Sequence, residues 1–268
     1  MEVTMKGIEL DQTEFAYMLG VIQADAIAGV DDPKLFPTDD ASKEVIYSAG
    51  RERLEEHGWL VQVEHSPHEY ELNPFLLEAV ALIAVPDIVV ATLHDREGVD
   101  RRLLLHYLAD DDIIELSASQ DWKYRFGFLS DNQGLSERVA GMLEVTESEQ
   151  PTCFTISEEA FTSIQSRCQE GRLEQAVELI IASGVERKPG NSFVEALGSP
   201  SSGQVVVIRP RSGEIEAGRR ARVFGEGNGA WMLVRTAPDS KEFEVTSCSP
   251  DSIGILITKW QKELMTTS

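Results

Sequence analysis

The stretch NPFLLEAV at residues 73–80 decides the fold, because the chain contains a version of it twice. The second version is NSFVEAL at residues 191–197, and Phe193 follows Phe75 by 118 positions. Landmarks beyond each copy keep this spacing to within one residue: Arg101 and Arg219, Ile114 and Trp231, Phe126 and Phe243. The sustained spacing favours a degenerate internal duplication over two unrelated hairpin sheets of similar spacing.

Four short segments follow each copy and have the apolar or alternating patterns of β-strands. The predicted strands cover residues 87–94, 101–108, 113–117, 123–129, 204–209, 217–224, 230–235 and 243–247. Their linkers are so short that adjacent strands must run antiparallel, as a meander. Each meander needs helices to cover its apolar face. We further expect the two meanders to pair edge to edge in one sheet, because this pairing hides two exposed edges at once.

Helix signals precede the first meander. Asp11 and Glu14 have the spacing of a capping box, which predicts the start of a helix. A second helix is predicted over residues 41–57, with Gly58 at the position where glycine commonly ends helices. A short hairpin at residues 59–72 then leads to the first copy of the repeated stretch.

The second half of the sequence has a similar order of signals. Ser157 is the predicted N-cap of a helix. Residues 186–190 are expected to form a loop, and Asn191 to begin the helix before the second meander. A closing helix is predicted after each meander, at residues 134–145 and 250–264.

These elements predict an α+β fold with two pseudo-symmetric halves integrated in one domain. Residues 1–148 would contain helices, the wing-like hairpin, the meander at 87–129 and the helix at 134–145. Residues 149–268 would contain helices, the meander at 204–247 and the helix at 250–264. The boundary lies in the polar stretch at residues 146–151, which ends in proline.

The charge of the chain limits its partners. Asp and Glu total 46 against 24 Lys and Arg, so the net charge of −22 at pH 7 repels nucleic acid and anionic membranes. The densest basic stretch, residues 209–222, is diluted by Glu214 and Glu216. The longest apolar run is far shorter than the ~18–20 residues of a membrane span.

The three cysteines, Cys153, Cys168 and Cys248, are widely spaced and form neither a disulfide framework nor a metal-binding pair. A reducing cytoplasm suits such a set. The start of the chain lacks the basic and apolar regions of a secretory signal. We therefore expect a cytoplasmic protein.

No set of residues indicates a particular chemistry, and we predict no catalytic, cofactor or metal site. His65 and His68 could supply half of a metal site, but a polar turn also explains them. The glycine-rich residues 225–229 lie between two predicted strands, where no helix N-terminus would face a phosphate, so turn geometry is favoured. Residues 110–112 lack the ligand spacing of a calcium loop. Cys153 has no nucleophile motif around it.

The duplicated arrangement of helix and meander resembles the EspG family of cytosolic chaperones associated with ESX (type VII) secretion. The resemblance covers nearly the whole chain and includes the Ala84-Val85-Pro86 and Ser249-Pro250-Asp251 stretches. It implies a central antiparallel sheet flanked by helical bundles, and a secreted helical heterodimer as the protein client. If the family binds its client through a longer loop at the position of residues 110–112, client recognition here would differ.

The favoured function is therefore a non-enzymatic chaperone or adaptor that binds a protein client through residues that remain unknown. One alternative is an enzyme or small-ligand binder with a site at the interface between the two halves. Another is a winged-helix-like regulator, although the acidic residues Glu64, Glu69 and Glu71 on the hairpin disfavour DNA binding. Trp122, beside a predicted turn, is a weak candidate for a partner contact.

Overall fold

The computed structural model describes residues 7–63, 66, 69–118, 121, 123–148, 152–211 and 214–266. The helices in this part of the chain are α1 (Gln12–Val21), α2 (Asp40–Glu56), α3 (Pro74–Ala84), α4 (Asn132–Met142), α5 (Glu158–Gln169), α6 (Leu173–Ala182), α7 (Arg187–Leu197) and α8 (Pro250–Thr266). The strands are β1 (Ile8–Asp11), β2 (Leu60–Gln62), β3 (Tyr70–Leu72), β4 (Ile88–Arg96), β5 (Val99–Ala109), β6 (Asp112–Ala118), β7 (Lys123–Leu129), β8 (Cys153–Ser157), β9 (Ser201–Arg211), β10 (Glu214–Phe224), β11 (Trp231–Arg235) and β12 (Glu242–Ser247).

Ten strands form one sheet in the order β1-β7-β6-β5-β4-β9-β10-β11-β12-β8, and β2 pairs with β3 separately. The predicted α+β class and large antiparallel sheet are confirmed, and both predicted meanders are present. The first strand of one meander, β4, lies beside the first strand of the other, β9. The expected edge-to-edge pairing of the meanders is therefore confirmed.

Two strands of the sheet were not predicted. β1 pairs antiparallel with β7, and β8 pairs antiparallel with β12, so these two strands form the two ends of the sheet. They contain only four and five residues. An alternating pattern this short cannot be distinguished from the loop that precedes a helix cap.

The cap of α1 matches its prediction. Asp11 Oδ1 accepts hydrogen bonds from the backbone N–H groups of Thr13 and Glu14, at 2.8 and 3.0 Å. Glu14 Oε2 in turn accepts one from the Asp11 N–H at 2.7 Å, which completes the capping box. At the end of α2, Gly58 adopts a left-handed φ of +72°, as expected for a glycine that ends a helix.

Two helix boundaries differ from the predictions. Most of the loop expected at residues 186–190 is helical, because α7 begins at Arg187. Pro189 fits there because it lies in the first turn, where backbone N–H groups have no intrahelical acceptor. In contrast, α4 ends at Met142 rather than at residue 145, since Glu144 has a φ of +57° that a helix cannot contain.

The chain divides into two compact units, each made of several segments. Unit 1 contains the described residues of Met1–Val89, Leu105–Asp131 and Arg209–Glu216. Unit 2 contains those of Val90–Leu104, Asn132–Ile208 and Ala217–Ser268. The predicted organisation in two halves, 1–148 and 149–268, integrated in one domain stays a prediction.

Each unit has its own aromatic core. In unit 1, the Phe15 ring of α1 packs against Tyr124 and Phe126 of β7, with ring centroids 4.9 and 5.2 Å apart. In unit 2, the Phe193 ring of α7 lies 5.7 Å from that of Trp231 on β11. Burial of these faces is the main source of stability for both units.

Candidate functional site

A groove with a volume of about 830 Å³ opens in unit 2 and is the main candidate for a binding surface. Phe161 and Thr162 of α5 line one part of it, and Leu256 and Trp260 of α8 line another. Residues of β10, β11 and β12 complete the lining, together with the exposed turn residue Pro238. We call this surface the basic groove.

The residues that line the basic groove are mainly cationic, whereas the whole protein is strongly anionic. The cationic residues are Arg219, Arg220, Arg222, Arg235 and Lys259, and the acidic ones are Glu158, Glu244 and Glu263. The protein as a whole carries −22, so a local excess of cations is unusual for this chain. A surface of this kind selects partners by charge as well as by shape.

Two of the cations are neutralised inside the groove. Arg235 Nη2 lies 2.7 Å from Glu158 Oε1, and this hydrogen bond lowers the pKa of Glu158. Arg219 Nε lies 3.4 Å from Glu263 Oε2. Among the described residues, no carboxylate lies within ion-pair distance of Arg220, Arg222 or Lys259.

Arg222 is held in an apolar setting. Its guanidinium lies over the rings of Phe224 and Phe161, 4.9 and 5.6 Å from their centroids. Burial, and then the charge of Arg220, lower the pKa of Arg222. The side chain is half-buried and remains cationic, since even a lowered arginine pKa stays far above neutrality. Its charge is therefore oriented by two aromatic rings but is not balanced by an anion.

A smaller cleft of about 280 Å³ lies in unit 1 between α3 and the strands β6 and β7. Phe75 and Phe128 stack beside it with ring centroids 4.4 Å apart. Asp111 and Asp112 form part of its rim. The predicted turn at residues 110–112 is therefore an acidic edge of an apolar cleft.

The glycine-rich residues 225–229 connect β10 to β11, in agreement with the interpretation as a turn. The Gly225 N–H donates to Ser201 O at 3.1 Å, and the Gly227 N–H donates to Glu144 O at 2.7 Å. Both glycines have positive φ, 79° and 61°. Because these two N–H groups already have acceptors within the protein, they cannot cradle a phosphate.

A polar network in unit 2, which was not predicted, joins the buried side chains of His94 and Ser201 to the exposed Arg96 and Arg102. His94 Nδ1 accepts a hydrogen bond from Arg102 at 2.5 Å, so Nε2 carries the proton and donates to Ser201 Oγ at 2.9 Å. Glu144 accepts hydrogen bonds from Arg102 and Arg96, both at 2.8 Å. Burial, and then the Arg102 charge, lower the pKa of His94. No sequence signal joins residues 107 positions apart, as His94 and Ser201 are.

The cysteines occupy three different environments. Cys153 is exposed on β8, and its Sγ accepts a hydrogen bond from Thr246 at 3.6 Å. Cys168 is half-buried, and burial raises its pKa. Burial raises the pKa of Cys248 to about 12, so this thiol stays neutral at physiological pH. Only Cys153 is exposed to solvent.

The remaining candidate residues are tryptophans and histidines. Trp231 and Trp260 are buried and Trp59 is half-buried. His65, His68 and Trp122 lie outside the described residues. Within the ranges that the structure describes, no three His, Cys, Asp or Glu side chains come together as a possible metal site.

No family model matches the sequence, and no curated protein matches it. The fold does match solved structures. One is the type VII secretion system chaperone EspG5 of Mycobacterium tuberculosis, determined in complex with the PE25-PPE41 dimer, with a TM-score of 0.63. The match covers 94% of this chain and 95% of the EspG5 chain.

The chain has an EspG-like fold. Sequence identity to EspG5 is only 12%, so the likeness is one of fold. It agrees with the arrangement that the resemblance to the EspG family implied, a large antiparallel sheet with helices. In the described part of the chain, every helix is too short or too polar to span a bilayer.

Proposed function

We propose that this protein is a non-enzymatic cytoplasmic chaperone or adaptor. Its client would be a helical heterodimer of the PE-PPE kind, bound before export. The observation that carries the proposal is the EspG-like fold over 94% of the chain, since EspG5 was solved as a chaperone with such a dimer.

The charge of the protein supports this role. A client awaiting export exposes apolar surface that would otherwise aggregate. A chaperone with a net charge of −22 gives the complex a strong mutual repulsion between copies, which keeps it in solution. The basic groove is a local surface with more cationic than acidic residues, so an acidic client segment is not repelled there.

Co-expression tests the proposal. Each PE-PPE-type pair encoded in the source genome is produced with and without this protein, and the soluble fraction is analysed by size-exclusion chromatography. We expect at least one pair to become soluble and to elute as a complex containing one copy of each of the three chains.

A control uses an unrelated acidic protein of similar size in place of this one, which should leave the pair insoluble. The proposal is wrong if every pair stays equally soluble or insoluble in both cultures and none co-elutes. A source genome without any such pair would also contradict the proposed client.

A further inference from the structure

The basic groove contains two neighbouring arginines, Arg220 and Arg222, for which the described protein supplies no carboxylate. Elsewhere in unit 2, cations are commonly paired: Arg96 and Arg102 both bind Glu144, and Arg172 binds Glu170. In a chain with 46 acidic and 24 basic residues, acceptors for a guanidinium are abundant. Arg222 is half-buried and has no carboxylate acceptor, and this arrangement requires an explanation.

Burial makes the absence of an anion costly. A guanidinium loses hydration when aromatic rings cover it; cation–π attraction to the rings returns part of that loss, and an anion or good acceptors would return more. Phe161 and Phe224 cover Arg222, and the positive charge of Arg220 adds repulsion. The free protein thus holds a cation in an orientation that a bound anion would stabilise.

The surroundings of Arg222 indicate the kind of anion. Glu158, Glu244 and Glu263 also line the groove, and their negative charge disfavours a multiply charged group such as phosphate. The exposed Ala237 and Pro238 add apolar surface to the lining. A single carboxylate carried on an otherwise apolar protein segment meets both conditions.

We infer that the basic groove is the docking surface for the protein client, and that Arg222, assisted by Arg220, binds an Asp or Glu side chain of that client. This inference rests on the proposed function and names the surface and the chemistry by which the client is recognised. The planar guanidinium can donate two parallel hydrogen bonds to the carboxylate, which fixes the orientation of the client segment. Specificity for an acidic residue follows, because the two arginines repel a basic one.

Binding measurements on the complete protein test the inference. The client pair identified by co-expression is titrated by calorimetry against wild type, Arg222→Gln, Arg222→Lys and Arg220→Gln. We expect Arg222→Gln to raise Kd by about 10- to 100-fold, and Arg222→Lys by less, because lysine keeps the charge but loses the fork geometry. The matched control is Arg172→Gln, which removes the same charge from an exposed position and should change Kd by less than about twofold.

Circular dichroism and thermal unfolding of each free variant show whether the fold is intact. A second experiment reverses both charges of the proposed ion pair. The Arg222→Glu protein should bind a client variant in which the recognised Asp or Glu is replaced by Arg. Failure of the two reversed charges to restore binding overturns the inference.

The outcomes separate the inference from the proposed function. If wild type binds no pair, the proposed function fails and the inference with it. If wild type binds a pair and folded Arg222→Gln binds it equally well, only the inference fails. If inorganic phosphate displaces the client at an ionic strength where chloride does not, the groove is a phosphate site and the inference is wrong.

Discussion

Gly50 of α2 packs directly against the backbone of α1. A Cβ atom at this position would lie 2.2 Å from Thr13 O and 2.8 Å from Tyr17 Cβ. Glycine inside a helix costs about 1 kcal/mol relative to alanine. Close packing of the two helix backbones, which a side chain at this position would prevent, offsets this cost.

We therefore expect Gly50→Ala to lower the free energy of unfolding by about 1–3 kcal/mol, because the added methyl group forces the helices apart. The matched control is Gly141→Ala in α4, where an added Cβ meets nothing within 4 Å. That variant should be stabilised by about 0.4–1 kcal/mol. Urea unfolding of both proteins checks the prediction, and an unchanged or more stable Gly50→Ala protein would contradict the packing of α1 on α2.

His94 predicts an acid sensitivity. Its pKa is lowered in the folded state, mainly by burial and then by the Arg102 charge, with further effects from Glu144, Arg96 and Glu226. The unfolded chain therefore takes up the proton first as the pH falls below about 6.5. The stability that the neutral ring supports is present above that pH and is lost as the pH falls further.

The pH series compares wild type with His94→Gln by thermal unfolding between pH 7.5 and 5, two values chosen to bracket the ordinary histidine pKa of about 6.5. We expect the wild-type midpoint to fall more steeply than that of the variant, because glutamine has no proton to take up. Parallel curves would show that His94 does not contribute to the acid sensitivity.

At the scale of elements, Asp11 connects β1, α1 and α2. It caps α1 through two backbone N–H groups, and its other oxygen pairs with Arg53 of α2. Asp39 caps α2 through Ser42 alone, in an exposed position. The same substitution can therefore be compared at an aspartate that contacts several elements, Asp11, and at one that only caps its own helix, Asp39.

We expect Asp11→Ala to reduce the unfolding free energy by about 1–2 kcal/mol, and Asp39→Ala by about half as much, because only Asp11 joins several elements. Denaturant titration measures both. Equal losses would mean that the Arg53 contact contributes little beyond the cap.

The strands of both meanders could be predicted because their alternation is long enough to exceed chance and their linkers are short. β1 and β8 could not, since each is a strand of five residues or fewer whose partner lies far away in the sequence. The sequence pattern predicts the start of α7 too late, because a proline such as Pro189 commonly marks a loop, although proline is acceptable in a first turn.

The candidate site was only partly visible in the sequence. Residues 209–222 form the densest basic stretch, and Arg219, Arg220 and Arg222 lie within it. The sequence cannot show that Arg219 is paired with Glu263 of α8 while Arg222 faces two phenylalanine rings. Phe224 lies two residues from Arg222 on the same strand, but the contacts with Glu263 and Phe161 join residues dozens of positions apart, which no local pattern records.

At the scale of the whole molecule, the two compact units are interleaved along the chain. Unit 1 includes Arg209–Glu216, and unit 2 includes Val90–Leu104. A cut at the predicted boundary between residues 148 and 149 therefore removes Arg209–Glu216 from unit 1, and Val90–Leu104 and residues 132–148 from unit 2. Fragment 149–268 thereby lacks buried residues of unit 2 such as Leu135, Val139 and Leu143, whereas unit 1 loses a segment whose described residues are not buried.

We predict that fragments 1–148 and 149–268, produced separately, lack cooperative thermal unfolding, whereas co-expression restores a folded complex. The physical reason is that each fragment contains a strand segment that the other unit requires. Circular dichroism and thermal melting check this outcome. Cooperative melting of either fragment alone would show that its half folds without the exchanged segment.

The same interleaving bears on synthesis at the ribosome, where a chain emerges from its N-terminus at about 5–20 residues per second. Unit 1 cannot be completed until Arg209–Glu216 has left the exit tunnel, although most of its other residues emerge long before. During that interval the nascent chain already contains the rings of Phe15, Tyr124 and Phe126, which pack against one another, but it lacks the last segment of the unit. Folding of unit 1 can therefore begin early in synthesis, but it can finish only after about four fifths of the chain has emerged.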